Sequence, residues 1–194
     1  YLHIGHAKSI CLNFGISEDN DVNDGSADSP AGSILGNRAH VVGVWDGVSH
    51  ISLYVNGALL SRNNVFPILG SFLFEPGSKI IIGRRYNPTD YFNGSVDMVN
   101  LWSKAFSQEE ILSLMSLDSL ENDNNLVAQY KFNEGEGSIL YDHSGNGNHG
   151  VIHGASWIEN IYGCMDSYAC NYNESANMDN YSCEYTCHDN GDYS

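Results

Sequence analysis

Apolar and polar residues alternate over most of the first hundred positions, in short runs broken by Gly, Asn and Asp. A period of two marks strands with one buried face, and the turn residues between them give the spacing of an all-β sandwich. The pattern predicts strands over Leu2–Ala7, Ser9–Ile16, His40–Trp45, Ile51–Val55, Ser71–Phe74, Lys79–Gly83 and Ser95–Trp102. Asn56-Gly57 follows the alternating run Ser52-Leu53-Tyr54-Val55 and predicts a tight hairpin, because both residues tolerate positive φ. A helical pattern stands out after Trp102. Ser107-x-x-Glu110 is a capping box, and Ile111, Leu112, Leu114 and Met115 supply the apolar stripe of a short helix.

The stretch Tyr91–Leu112 joins a turn at Asn93-Gly94, an apolar strand containing Asp97, and that capped helix. Through Phe92, Gly94, Asp97, Trp102, Ala105, Ser107 and Glu110 it resembles the closing segment of a laminin-G-like domain of the concanavalin A-like jelly-roll class. His40-Val41-Val42-Gly43-Val44-Trp45-Asp46-Gly47 with Leu53-Tyr54-Val55-Asn56-Gly57 is similar to the paired central strands of that family, and Leu2-His3-Ile4-Gly5-His6 to an earlier strand. The resemblance runs in register over about residues 1–115. It implies an antiparallel jelly-roll β-sandwich with one short helix, and a binding module in place of a catalyst.

Leu126–Trp157 resembles the start of such a domain, yet it follows the closing segment. Three arrangements stay open: return in cis to complete the sandwich, a truncated second domain, or completion of a neighbouring molecule in trans. The short linker Asn122-Asp123-Asn124-Asn125 favours cis, since a short loop closes at low entropic cost. Alternation of Leu126, Ala128, Tyr130 and Phe132 with Val127, Gln129 and Lys131 describes a strand with one buried face. The expected domains are therefore 1–160, with 126–157 as a displaced strand segment completing the sandwich, and 161–194 as a small Cys-rich module. Gly163–Cys183 resembles a short GC-x-D-x-x-A-C-N-Y module of large secreted surface proteins, departing from it at Tyr181, where Gly is typical. Tyr1 at the start and the abrupt end after Cys187 read as an excised piece of a longer chain.

Charge narrows the partners. Lys+Arg number 8 against 24 Asp+Glu, a formal net of −16, which repels phosphate backbones and anionic membranes. Nucleic acid and membrane insertion are thus excluded as expectations, the latter also because no apolar run reaches spanning length. Cysteine usage divides the chain. Cys11 sits in the apolar run Ile10-Cys11-Leu12 and reads as a reduced core residue. Cys164, Cys170, Cys183 and Cys187 crowd a segment too short for a core, which reads as two disulfides and an oxidising compartment. Zinc is the weaker explanation, because CxxC spacing is missing.

Candidate chemistry is sparse. Glu18–Gly25 is acidic, but counting from Asp19 puts Asp24 at position six and Pro30 at position twelve, where an EF-hand needs Gly and a bidentate carboxylate. Asp97 among apolar neighbours needs a cation or donors if buried. The resemblance makes Asp97 and Asp142 candidates for a structural calcium, with carbonyls around Gly145–Asn148. Asp142 has a second reading as a turn initiator. The E-x-D-x-x-E spacing of catalytic jelly rolls does not occur, and Glu109-Glu110 belongs to the helix cap. His3 and His6 fall on opposite faces of a strand and make a poor metal pair. Trp45, Trp102 and Trp157 read as core residues. Tyr86 and Tyr91, beside the polar turn Asn87-Pro88-Thr89-Asp90, are the better ligand contacts. N-x-[ST] sequons stand at Asn93, Asn173 and Asn180.

The expected function is a non-catalytic extracellular or cell-surface module that binds a glycan or a surface protein as part of a larger assembly. The alternative is a structural subunit of an extracellular filament, joined to copies of itself by strand complementation. A third reading, an ancillary domain of a polysaccharide-degrading enzyme, needs a catalytic domain elsewhere in the parent chain.

Overall fold

The structure, a computed structural model, describes residues 2–6, 9–15, 26–28, 38–64, 80–83, 91–115 and 124–186. The first sheet is three-stranded, ordered β1 (Leu2–His6), β2 (Ser9–Gly15), β3 (Ser26–Asp28). Its strands are antiparallel, with Leu2 opposite Phe14 and Phe14 opposite Ala27. The second sheet runs β4 (Val41–Trp45), β5 (His50–Val55), β6 (Ala58–Asn64), again three-stranded and antiparallel. β3 lies against β5 and β6, and their meeting place is the core: Ala27, Ile51 and Leu53 are fully buried, with Val41, Trp45 and Val55 packed around them. Ser52 and Tyr54 are buried too, so β5 is covered on both faces. Burying a side chain the size of Ile51 or Leu53 contributes about 2 kcal/mol.

Local chemistry sets both hairpins of the second sheet. Between β4 and β5, Asp46 Oδ1 accepts the N–H groups of Val48, Ser49 and His50 at 2.9, 2.8 and 3.0 Å, while Oδ2 lies 3.1 Å from His50 Nδ1. Between β5 and β6, Asn56 and Gly57 take φ of 49° and 78°, the two positive values a two-residue primed turn requires. Asn56 Oδ1 also accepts the His40 N–H at 2.9 Å, tying this turn to the start of β4.

Two expected strands differ. The described part of Lys79–Gly83, residues 80–83, is not a strand; it bends at residues 82–83, with Gly83 at φ 80°, and Ile80 is exposed. The strand expected from Ser95 begins only at Val99, as β7 (Val99–Trp102), and leaves Asp97 outside it. Ser71–Phe74 lies outside the described residues.

The helix α1 (Gln108–Met115) starts with the reciprocal cap its sequence predicts: Ser107 N–H donates to Glu110 Oε2 at 2.8 Å, and Glu110 N–H donates to Ser107 Oγ at 3.3 Å. Ile111 is fully buried. Gln108 Nε2 donates to the Gly57 carbonyl at 3.0 Å, and Leu112 and Met115 cover Gly57 so closely that a Cβ there would overlap Leu112. The helix is thus seated on the β5–β6 turn.

β8 (Leu126–Tyr130) pairs antiparallel with β7 of the same chain, Val99 opposite Tyr130 and Leu101 opposite Ala128. The chain divides into two compact units, Tyr1–Phe132 with Tyr141–His149, and Asn133–Leu140 with Gly150–Ser194. The second unit holds an antiparallel pair, β9 (Ile139–Leu140) and β10 (Gly150–Val151), and a parallel pair, β11 (Tyr162–Gly163) and β12 (Met178–Asp179). The hairpin β9–β10 therefore groups with the Cys-rich part.

Candidate functional site

The two calcium candidates have other partners. Asp97 is exposed, not embedded in an apolar strand, and its carboxylate pairs with the Arg38 guanidinium. Apolar flanks alone do not tell strand from turn when the strand starts late, as it does here at Val99. Asp142 is buried, and donors fill it. Oδ1 accepts the N–H of Gln129 at 2.9 Å and of Ser144 at 2.8 Å; Oδ2 accepts Ser144 Oγ at 2.9 Å and the Asn148 N–H at 2.9 Å. A carboxylate has about four lone-pair sites, so none remains for a metal. Burial pushes the Asp142 carboxyl upward, but the Gln129, Ser144 and Asn148 donors outweigh it and bring it down to about 2. No group of three His, Cys, Asp or Glu among the described residues converges to hold a metal ion. Neither aspartate fits calcium as it stands; the turn-initiator reading of Asp142 matches the bond to Ser144 N–H.

The loop around Asp142 is organised by side chains. Asn146 Nδ2 donates to the Leu126 carbonyl at 2.8 Å, Asn148 Nδ2 to the Val127 carbonyl at 2.8 Å, and the Tyr130 hydroxyl to the Asn148 carbonyl at 2.5 Å. The Asp142 N–H donates to His149 Nδ1 at 3.0 Å. Its Asn and Gly residues serve structure: Gly145 and Gly147 sit at φ of 89° and 75°.

In the second unit Cys164 bridges Cys183, and Cys170 is disulfide-bonded as well. Cys187 and the side chain of Cys11 lie outside the described residues. Asn and Asp side chains do the remaining work. Asp166 Oδ1 accepts the Tyr168 N–H at 2.9 Å, Asn177 Oδ1 the Ile161 N–H at 2.8 Å, and Asn171 Oδ1 the Glu184 N–H at 2.9 Å. The first of these bonds is local, while the other two reach 16 and 13 positions along the chain and stand in for regular ladders.

This scaffold presents a cluster of one carboxylate and two tyrosines that no sequence motif announces. Asp166 is flanked by Tyr168, 90% exposed, and by Tyr185, 63% exposed, whose hydroxyl donates to Asp166 Oδ2 at 2.8 Å. The Tyr168 backbone and the Tyr185 hydroxyl hold the Asp166 carboxyl below the usual range, and the same bond pushes the Tyr185 phenol upward. At neutral pH the group is thus an anion held by two exposed tyrosines, one through its backbone N–H and one through its hydroxyl. The available signal was the spacing Asp166-x-Tyr168, which alone does not announce exposure.

Of the other expected contacts, Tyr91 is 65% exposed, beside the Phe92 N–H to Gly83 carbonyl bond of 2.8 Å, and Tyr86 lies outside the described residues. Asn93 is exposed. Asn173 is half-buried: its Oδ1 accepts the Ser175 N–H at 3.0 Å, and a Cβ at Gly163 would fall 2.9 Å from its Nδ2, so a sugar there must displace packing. Asn180 is exposed, with Oδ1 accepting the Ser182 N–H at 3.1 Å and the Ser182 hydroxyl at 2.5 Å.

Glutamine–tRNA ligases of Yersinia pestis (strain Pestoides F) and Yersinia pseudotuberculosis serotype O:1b (strain IP 31758) are 95% identical to the chain over 19 residues. That stretch is 10% of this chain and 3% of each ligase, so the chain spans only a small fraction of the curated relatives it matches. Among solved structures, the S-layer domain-containing protein (residues 221–444) from Clostridium thermocellum ATCC 27405 aligns at 24% identity and a TM-score of 0.39, over 55% of this chain and 52% of that one. A family model described as concanavalin A-like lectin/glucanases superfamily matches residues 1–112, which include both three-stranded sheets, the Asn56-Gly57 turn and the capped start of α1. By that match the chain belongs to the concanavalin A-like lectin/glucanases superfamily.

Proposed function

We propose that the chain is a non-catalytic extracellular module that recognises a neutral glycan, or a glycan-bearing surface protein, within a larger secreted or surface protein. The observation that carries this reading is the Asp166 carboxylate held by the Tyr168 N–H and the Tyr185 hydroxyl, with both tyrosines exposed. A pyranose offers an apolar face for an aromatic ring and hydroxyl donors for a carboxylate, and this cluster supplies both acceptor and ring. Charge selects among sugars: no Lys or Arg follows Lys131, so sulfated and sialylated chains meet only repulsion there. Membership in a lectin-containing superfamily and a disulfide-held second unit support an extracellular binding role.

The pairing of β8 with β7 in cis supports the binding reading over the filament alternative. Ligase activity is not carried over from a 19-residue identity, which is too short to form a core or a site, and a net charge of −16 opposes tRNA.

Binding to an array of neutral and acidic glycans tests the reading. The expected result is retention of neutral glycans, reduced at least tenfold by Tyr168→Ala. Loss on Tyr91→Ala with Tyr168→Ala unaffected would move the site to the first unit. Absence of any glycan binding by the folded chain would overturn the proposal.

A further inference from the structure

β8 gives one edge to β7 and turns the Val127 carbonyl and the Gln129 N–H and carbonyl to the other. An exposed row of this kind ordinarily recruits another strand. Here a single loop, Asp142–His149, satisfies it. The Val127 carbonyl accepts Ser144 Oγ at 3.3 Å, Asn146 Nδ2 at 3.1 Å and Asn148 Nδ2 at 2.8 Å. The Gln129 N–H donates to Asp142 Oδ1 at 2.9 Å, and the Gln129 carbonyl accepts the His143 N–H at 2.7 Å. One of these five bonds is backbone to backbone; the others come from side chains placed where a neighbouring strand would put its amides and carbonyls.

We infer that Asp142–His149 is an edge cap that keeps β8 from pairing with β8 of a second copy of this chain. Several features make it a cap instead of a passing loop. Asp142 joins the edge to the loop's own turn, because the oxygen that accepts the Gln129 N–H also accepts the Ser144 N–H. Tyr130, at the end of the strand, clamps the far side of the loop through its bond to the Asn148 carbonyl. The loop's bonds to the edge engage no residue of β7, so opening it frees the outer edge and leaves the β7–β8 pairing in place. The occupant of an opened edge is a second β8, since antiparallel pairing about a two-fold axis is self-complementary and both copies expose the same donors and acceptors. This inference is independent of the glycan reading.

Two variants of the full chain test it: Asp142→Ala, which removes the central acceptor, and Asn146→Ala/Asn148→Ala, which leaves Asp142 intact and removes two of the three donors to the Val127 carbonyl. Light scattering across a hundredfold concentration range should find the parent monomeric and the variants dimeric, with at least a tenfold rise in dimer at the highest concentration. Protection of the Gln129 amide in Asp142→Ala should become concentration-dependent, while that of Leu53 stays constant and reports an intact core. Adding Val127→Lys to either variant should restore the monomer by placing charge on the edge. Should Asp142→Ala fail to fold, the double asparagine variant decides alone. Folded variants that stay monomeric throughout would overturn the inference, as would a parent chain that already dimerises through β8.

Discussion

Asp142 uses all of its acceptor capacity inside the fold, and that decides what it contributes. Its carboxyl is held at about 2, below the ordinary carboxylate range, so on acidification the unfolded chain takes up the proton first. The associated stability is complete above the unfolded value and is lost as pH falls through the folded one. Urea midpoints should accordingly drop between about pH 4 and pH 2, and Asp142→Asn should show a shallower fall across that window. A variant with the parent's slope would mean that Asp142 does not set it. Asp46 acts in the same direction, since the donors from Val48, Ser49 and His50 outweigh its burial, so part of the slope should persist in Asp142→Asn. At this scale the sequence was legible for turns and misleading for carboxylates. Asp-x-Ser at 142–144 announces a turn, but the Gln129 and Asn148 donors come from other segments. Asp97 looked buried because Val96, Met98 and Val99 flank it, whereas its partner Arg38 stands 59 positions away.

The contact between α1 and the β5–β6 turn joins two elements that the sequence announced separately. The capping box and Asn56-Gly57 were both readable, but nothing in either period says that one rests on the other. Gly57 makes the contact possible, having both a positive φ and no side chain under Leu112. Gly47 has a similar φ of 80° and open space where its Cβ would go, which makes it a control. Gly47→Ala should cost about 1 kcal/mol from backbone strain alone. Gly57→Ala should cost at least about 1 kcal/mol more, because the helix must shift as well. Equal losses in denaturant melts would show that α1 yields freely and that the contact is weak. The pairing of β7 with β8 had a signal in the alternation over Leu126–Phe132, while its partner strand was bounded too early because Ser95–Met98 carries apolar residues without joining a ladder.

Across the whole chain the two units are stabilised by different means. The first has a core at Ala27, Ile51 and Leu53; in the second, the buried apolar residues among those described are Leu140, Cys164 and Ala169. So small a set cannot hold a fold alone, and a native bridge in a small domain typically contributes about 2–4 kcal/mol. Reduction should therefore remove amide protection at Asn173 and Asn177 while protection at Leu53 persists, as hydrogen exchange with and without reductant would show. Equal loss in both units would mean that they unfold as one. The crowding of cysteines made this legible from composition, whereas the exposure of Tyr168 and Tyr185 did not follow from it, since burial depends on which backbone groups the Asn and Asp side chains draw together.

The Cys164–Cys183 bridge also matters when the chain is pulled. Its sequence separation of 19, at ~3.3–3.6 Å of reach per residue, stores about 60 Å of contour length beyond the span of the bridge itself. Tension applied across the second unit passes through the sulfurs and bypasses residues 165–182, so that length stays hidden until a reductant cuts the bridge. In a surface protein under flow, the redox state of the surroundings would then set how far this segment can extend.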